Sequence, residues 1–158
     1  MGIDMGYHHT QPGWITIAAI VAAIIFFILT TAGSQASELN RDIGVLLLVA
    51  VLGLFSSLTV EIKDGFLRCH FGPGIIRSRF LLSEIKGARS VRNPWYSGWG
   101  IRWGPGRYVL WNVSGRGVVE LVLNNGKRFR IGTDEPDALV DVIQTHKNSL
   151  ITTLRNDA

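Results

Sequence analysis

Apolar positions in this chain follow two different rhythms. Trp14 to Thr31 and Ile43 to Leu58 are near-continuous apolar runs without a single Asp, Glu, Lys or Arg. At about 1.5 Å of rise per residue, helices of this length reach about 25 Å, close to the thickness of a bilayer's hydrocarbon core. The runs predict two membrane spans, over 14–32 and 43–58, behind an amino-terminal tail of residues 1–13. Trp14 sits at the edge of the first run, where an indole ring prefers the interface, and Pro12-Gly13 precedes it as a start signal. The connector from Ala32 to Asp42 is short and polar, which forces the second span to return antiparallel as a helical hairpin.

From Leu58 onward the period changes to two. Leu58 to Lys63 leads through Asp64-Gly65, a two-residue hairpin signal, into Phe66 to Phe71. Strands over Ile75 to Leu82, Glu84 to Val91, Trp99 to Trp103 and Tyr108 to Val113 follow, separated by Gly- and Pro-rich turns. Val118 to Leu123 then meets Lys127 to Ile131 across Asn124-Asn125-Gly126, the strongest hairpin marker in the chain. The rhythm changes once more at the end. Thr133 or Asp134 caps a helix over 134–155 with Pro136 in its first turn, and Leu139, Val142, Ile143, His146, Leu150 and Leu154 fall on one stripe. The expected fold class is an α+β membrane protein: a transmembrane hairpin, then a β domain over 59–155. That domain is a curved antiparallel meander of about seven or eight strands closed by one carboxyl-terminal helix.

Charge orients this arrangement. The connector holds only Arg41, whereas the stretch after the second span holds Lys63, Arg68, Arg77 and Arg79. The positive-inside bias therefore places the β domain and both termini in the cytoplasm, with the protein in the cell's inner (plasma) membrane. A cleaved secretory leader is the alternative for the first run, with small residues near Ala36-Ser37; the tail's lack of Lys and Arg argues against it. Cys69 is the one cysteine, which excludes an intramolecular disulfide and a thiolate metal cluster, and its place between Leu67 and Phe71 on one strand face predicts a buried core residue.

The hairpin, the meander, Trp99-Gly100-Ile101-Arg102 and the run from Asn124 to Pro136, with Asn-Gly-Lys-Arg-Phe-Arg-Ile-Gly-Thr-Asp leading into the last helix, together resemble bacterial membrane proteins with a pleckstrin-homology-like (PH-like) domain. The resemblance covers Thr59 to about Leu154 and implies two near-orthogonal antiparallel sheets, seven strands and one carboxyl-terminal helix. It does not imply one function, since domains of this fold bind phosphoinositides, peptides or proteins. The lipid-binding members use a basic loop between their first two strands; here that loop is the tight, acidic Asp64-Gly65, so no ligand residues carry over.

Two groups of residues are candidates for lipid or partner binding. Between Asn93 and Trp111 lie four of the five tryptophans, interleaved with Arg102 and Arg107. Rings with cationic neighbours suit a membrane interface or a protein-binding surface, so Trp95, Trp99, Trp103, Arg102 and Arg107 are nominated. The competing reading fills the β core with Trp99 and Trp103. Arg77 and Arg79 share one strand face and form the second group; between Arg77 and Arg130 there are eleven basic residues against Glu84 and Glu120. That excess attracts anionic surfaces, or simply solvates one face.

Other chemistry finds little support. His8, His9, His70 and His146 lack companions at metal-ligand spacing, so no metal is expected, and no cofactor. Ser114 has no neighbouring His, and Glu84 and Glu120 read as isolated in strands, so no catalytic residue is nominated and the chain reads as no enzyme. Asn112-Val113-Ser114 matches a glycosylation triplet, a coincidence for a cytoplasmic segment. Nucleic acid is disfavoured as a partner, because the basic residues lack a recognition helix. The function expected is a membrane-anchored binding or scaffold module for a protein partner. The alternatives are a sensor of anionic phospholipid, built on the basic and Trp residues, and a structural subunit of a larger membrane assembly.

Overall fold

Alternation and turn chemistry place most of the strands. The computed structural model describes residues 6–32, 38–94, 98–104 and 106–156. Leu58, Val60 and Ile62 point inward from β2 (Ser57–Lys63), and Leu67, Cys69 and Phe71 point inward from β3 (Phe66–Phe71). Asp64 and Gly65, at φ 54° and 74°, join them in a turn whose left-handed backbone matches the twist of the strands. β4 (Arg77–Leu81) adds to β3, and a 3-10 turn, Leu82–Glu84, carries the chain into the second sheet.

The second sheet holds β5 (Ile85–Arg92), β6 (Gly100–Gly104), β7 (Tyr108–Asn112), β8 (Gly117–Leu123) and β9 (Arg128–Gly132), in the order β5-β8-β9-β7-β6. This is not the expected meander. β8 runs beside β5, and the loop Asn124-Asn125-Gly126 then returns β9 between β8 and β7, so that β7 and β9 pair in parallel. Four residues, Asn124 to Lys127, separate the strands, with Gly126 left-handed at φ 79° and its N–H donating to the Leu123 carbonyl.

The two sheets face each other. Phe71 of β3 meets Trp111 of β7 at 5.0 Å between ring centroids, and Phe80 of β4 meets Phe129 of β9 at 4.8 Å. α3 (Pro136–Asn156) covers the β5 and β8 side of this core with Leu139 and Ile143, both fully buried. Pro136 opens the helix, and the Thr133 hydroxyl, rather than Asp134, accepts the Glu135 N–H. The side chains of Leu150 and Leu154 lie outside those described.

A further strand forms in the segment expected to be a tail. β1 (Tyr7–Pro12) pairs antiparallel with β2 along six rungs, from Tyr7 opposite Ile62 to Pro12 opposite Ser57. The described residues thus form nine strands, in sheets of four and five. His9 secures β1 to the start of α3, with Nε2 2.6 Å from Asp134 Oδ1. Polar YHHTQP has no strand alternation of its own; pairing with an already patterned neighbour decides its conformation.

Two helices interrupt the β1–β2 pair. α1 (Trp14–Thr31) leaves β1 after one residue, Gly13, and α2 (Glu38–Phe55) enters β2 after one, Ser56. They run antiparallel: the Gly13 N–H donates to the Ser56 carbonyl at 2.7 Å, and Gly44 of α2 lies so close to Phe27 of α1 that a Cβ would sit 2.6 Å from the ring. Neither helix buries a residue. α1 is the one described helix long and apolar enough to cross a membrane by length and composition. α2 opens with Glu38, Arg41 and Asp42 and is free of charge only from Ile43. Leu58, expected at the end of the second run, belongs to β2 and is buried in the β core.

Candidate functional site

The nominated residues separate onto the outer faces and edges of two sheets. On the first sheet, the inward Leu67-Cys69-Phe71 set turns Arg68 and His70 outward, and β4 presents Arg77 and Arg79 opposite them. Arg68 faces Arg79 and His70 faces Arg77 across the β3–β4 pair. With Glu61, Pro73 and Gly74 they line a cleft of about 770 Å³. The Arg79 guanidinium lies 4.6 Å from the Phe66 ring centroid and that of Arg68 5.9 Å from it. Neither these two nor Arg77 has a carboxylate within ion-pair distance among the described residues. Three guanidiniums on one face, against the single carboxylate of Glu61 opposite Arg68, leave an excess of positive charge that attracts anions.

Arg68 and His70 were legible as partners of Arg77 and Arg79. Once Leu67, Cys69 and Phe71 are assigned inward, period two sends the residues between them outward.

On the second sheet the tryptophans divide. Trp111 is core, packed between Phe71 and Phe129. Trp99 is 40 % exposed and Trp103 86 %, so neither fills the β core. Strand order explains this: β6 is the outer edge of its sheet, and its inward-facing positions overhang the sandwich. Arg102 is exposed on the opposite face of β6, and its Nε donates to the Trp99 carbonyl at 3.2 Å. Arg107 is exposed in the β6–β7 turn at φ 60°. Trp95 lies outside the described residues.

The start of β6 adjoins the helical hairpin. A cleft of about 490 Å³ is lined by Ala19 and Ile20 of α1, Val51 and Phe55 of α2, and Trp99 and Ile101. The Thr16 hydroxyl donates to the Val113 carbonyl at 2.8 Å, joining the first turn of α1 to the end of β7. Arg77 and Arg79 therefore line one cleft and Trp99 and Arg102 another, beside separate sheets, with Trp103 further along β6.

Two further readings change. Glu120 is not isolated: its fully buried carboxylate accepts Arg130 Nε at 2.8 Å and Arg89 Nε at 3.0 Å. Burial pushes its pKa up, but the hydrogen bonds and charges of Arg130 and Arg89 outweigh that and hold it below the ordinary glutamate value. Asn112, in the glycosylation triplet, is buried and donates to the Gly115 carbonyl.

A scan against protein-family models finds no match, and a search of curated proteins finds none either.

Proposed function

We propose that this chain is a non-catalytic, membrane-anchored binding or scaffold module. Its α1–α2 hairpin spans the cytoplasmic membrane, and a PH-like β domain stands on the cytoplasmic face to bind a protein partner or organise a membrane complex. The observation that carries the reading is the hairpin itself: two packed helices with no buried residue, leaving adjacent strands without a linker. Apolar surface of that extent is stable in lipid or under another protein, not in water. Two packed sheets with a carboxyl-terminal helix on the core support the PH-like likeness; the added β1 and the parallel β7–β9 pair depart from it.

A cleaved leader fits poorly with β1. Cleavage after α1 would remove a strand that fills the edge of β2 along six rungs.

Mild crosslinking in native membranes, followed by purification, tests the module. The same partner is expected in repeated preparations, and its yield falls when Arg77 and Arg79 are both changed to Glu; repeated recovery of the chain alone counts against the reading. A carboxyl-terminal reporter active only outside the cytoplasm would reverse the orientation.

Arg68, Arg77 and Arg79 around one cleft, against Glu61 alone, favour a second reading, a sensor of anionic phospholipid. Full-length protein in neutral nanodiscs should then capture anionic vesicles and release them as salt rises. No capture at low salt would remove this reading.

A further inference from the structure

We infer that the β domain is itself partly immersed: β6 and the β3–β4 loop form a second membrane contact, seated in the lipid headgroup and upper acyl region beside the hairpin. This rests on the anchor reading and adds to it where the membrane surface lies on the domain.

The length of α1 sets the level. Its 18 residues reach about 27 Å, already slightly short of the roughly 30 Å hydrocarbon core. Trp99 and Ile101 line one cleft with Ala19 and Ile20, which lie five to six residues into that helix. Were β6 held clear of the membrane, only Val21 to Thr31 would be left to span it, about 17 Å. Such a length cannot cross. The helix crosses only if the lipid boundary rises to its first turn, near Trp14, and that boundary takes in the start of β6.

The surface of the domain matches this level. Outside the helices, and among the described residues, the large apolar side chains that stand exposed are Ile75, Leu81, Trp99, Ile101 and Trp103. All but Leu81 belong to the two elements that touch the hairpin. Trp99, just before β6, alternates with Ile101 and Trp103 of that strand; Ile75, 75 % exposed, rides on the β3–β4 loop, where Gly72 packs against the Gly53 and Leu54 carbonyls of α2. Cations flank both contacts: Arg102 lies between Ile101 and Trp103 on the other face of β6, and Arg77 follows Ile75 by two residues. Indole at the interface with arginine at phosphate depth is the arrangement a membrane-seated surface requires.

Site-directed spin labelling of the full chain in phosphatidylcholine–phosphatidylglycerol vesicles tests the inference. Single cysteines are introduced as Trp103→Cys, Ile75→Cys, Phe26→Cys on the exposed face of α1, and Asn125→Cys in the β8–β9 loop; buried Cys69 takes no label in the folded protein. Access to oxygen over access to a water-soluble nickel chelate should be several-fold higher at 103 and 75 than at 125, and highest at 26. A water-like ratio at 103 and 75 with a lipid-like ratio at 26 overturns the inference and leaves the anchor standing. A water-like ratio at 26 overturns the anchor and the inference together. Dipolar broadening between labels at 103 would place a second copy of the chain, not lipid, on β6, and would also overturn it.

Discussion

Glu120 and Arg130 stand directly opposite each other on β8 and β9, and Arg130 Nε donates to Glu120 Oε2 at 2.8 Å. Arg130 also donates to Asn93 Oδ1 and lies 3.8 Å over the Tyr108 ring centroid, so one guanidinium joins the carboxylate, the end of β5 and an aromatic face. Arg89 completes the pair from β5, but its side chain is 64 % exposed against 15 % for Arg130.

That asymmetry predicts unequal losses. Arg130→Ala should destabilise the domain by about 3 kcal/mol, because it leaves a buried carboxylate short of its main partner. Arg89→Ala should cost about 1 kcal/mol or less, since solvent screens that contact. The lowered Glu120 pKa gives stability that is present in full above the unfolded glutamate value of about 4.3 and is lost as pH falls below it through the folded value. Thermal unfolding in detergent from pH 3 to 7 should show this acid loss in the native chain and a flatter profile in Glu120→Gln.

Cys69 should be chemically silent in the folded state. Burial pushes its thiol up to about 12, so almost no thiolate exists at neutral pH. A disulfide reagent should leave the native protein unmodified and titrate one thiol per chain after denaturation. The raised value also makes stability complete below the unfolded thiol value of about 8.5 and declining as pH rises above it. Cys69→Ala should remove that decline.

Gly72 should resist substitution. Its φ is +42°, and a Cβ would run into the Gly53 carbonyl and come within 2.9 Å of that of Leu54. Gly72→Ala should destabilise by about 2 kcal/mol or more, through left-handed strain and a clash with helix backbone that cannot step aside. Gly65→Ala, also left-handed but with open space around it, should cost about 1 kcal/mol. Paired melting curves in detergent give the difference.

The tryptophans should separate cleanly by stability. Trp111→Ala removes a ring packed on two phenylalanines and should cost about 3–5 kcal/mol. Trp103→Ala, at an exposed edge, should stay within about 0.5 kcal/mol in detergent.

What the sequence made legible was local. Asp64-Gly65, the alternation of Leu58 to Phe71 and the stripe through Leu139 and Ile143 each carry their structure within a few residues, and these elements formed where the pattern placed them. What escaped depends on distant partners. β1 has no alternation and becomes a strand only because β2, about fifty residues on, offers an open edge. Trp99 and Trp103 have the strand spacing of core residues; they are exposed because β9 enters beside β7 and leaves β6 outermost. Glu120 looked solitary because Arg89 and Arg130 reach it from neighbouring strands.

The interrupted β1–β2 pair orders events during synthesis. β1 leaves the ribosome first, yet its partner emerges only after both helices are made. Until then β1 has no strand to pair with. If α1 alone were threaded through the membrane, β1 and β2 would be stranded on opposite sides and the sheet could never close. For a hairpin that spans a membrane as proposed, closure of that ladder is a checkpoint on insertion: only a nascent chain whose two helices have gone out and come back completes its fold.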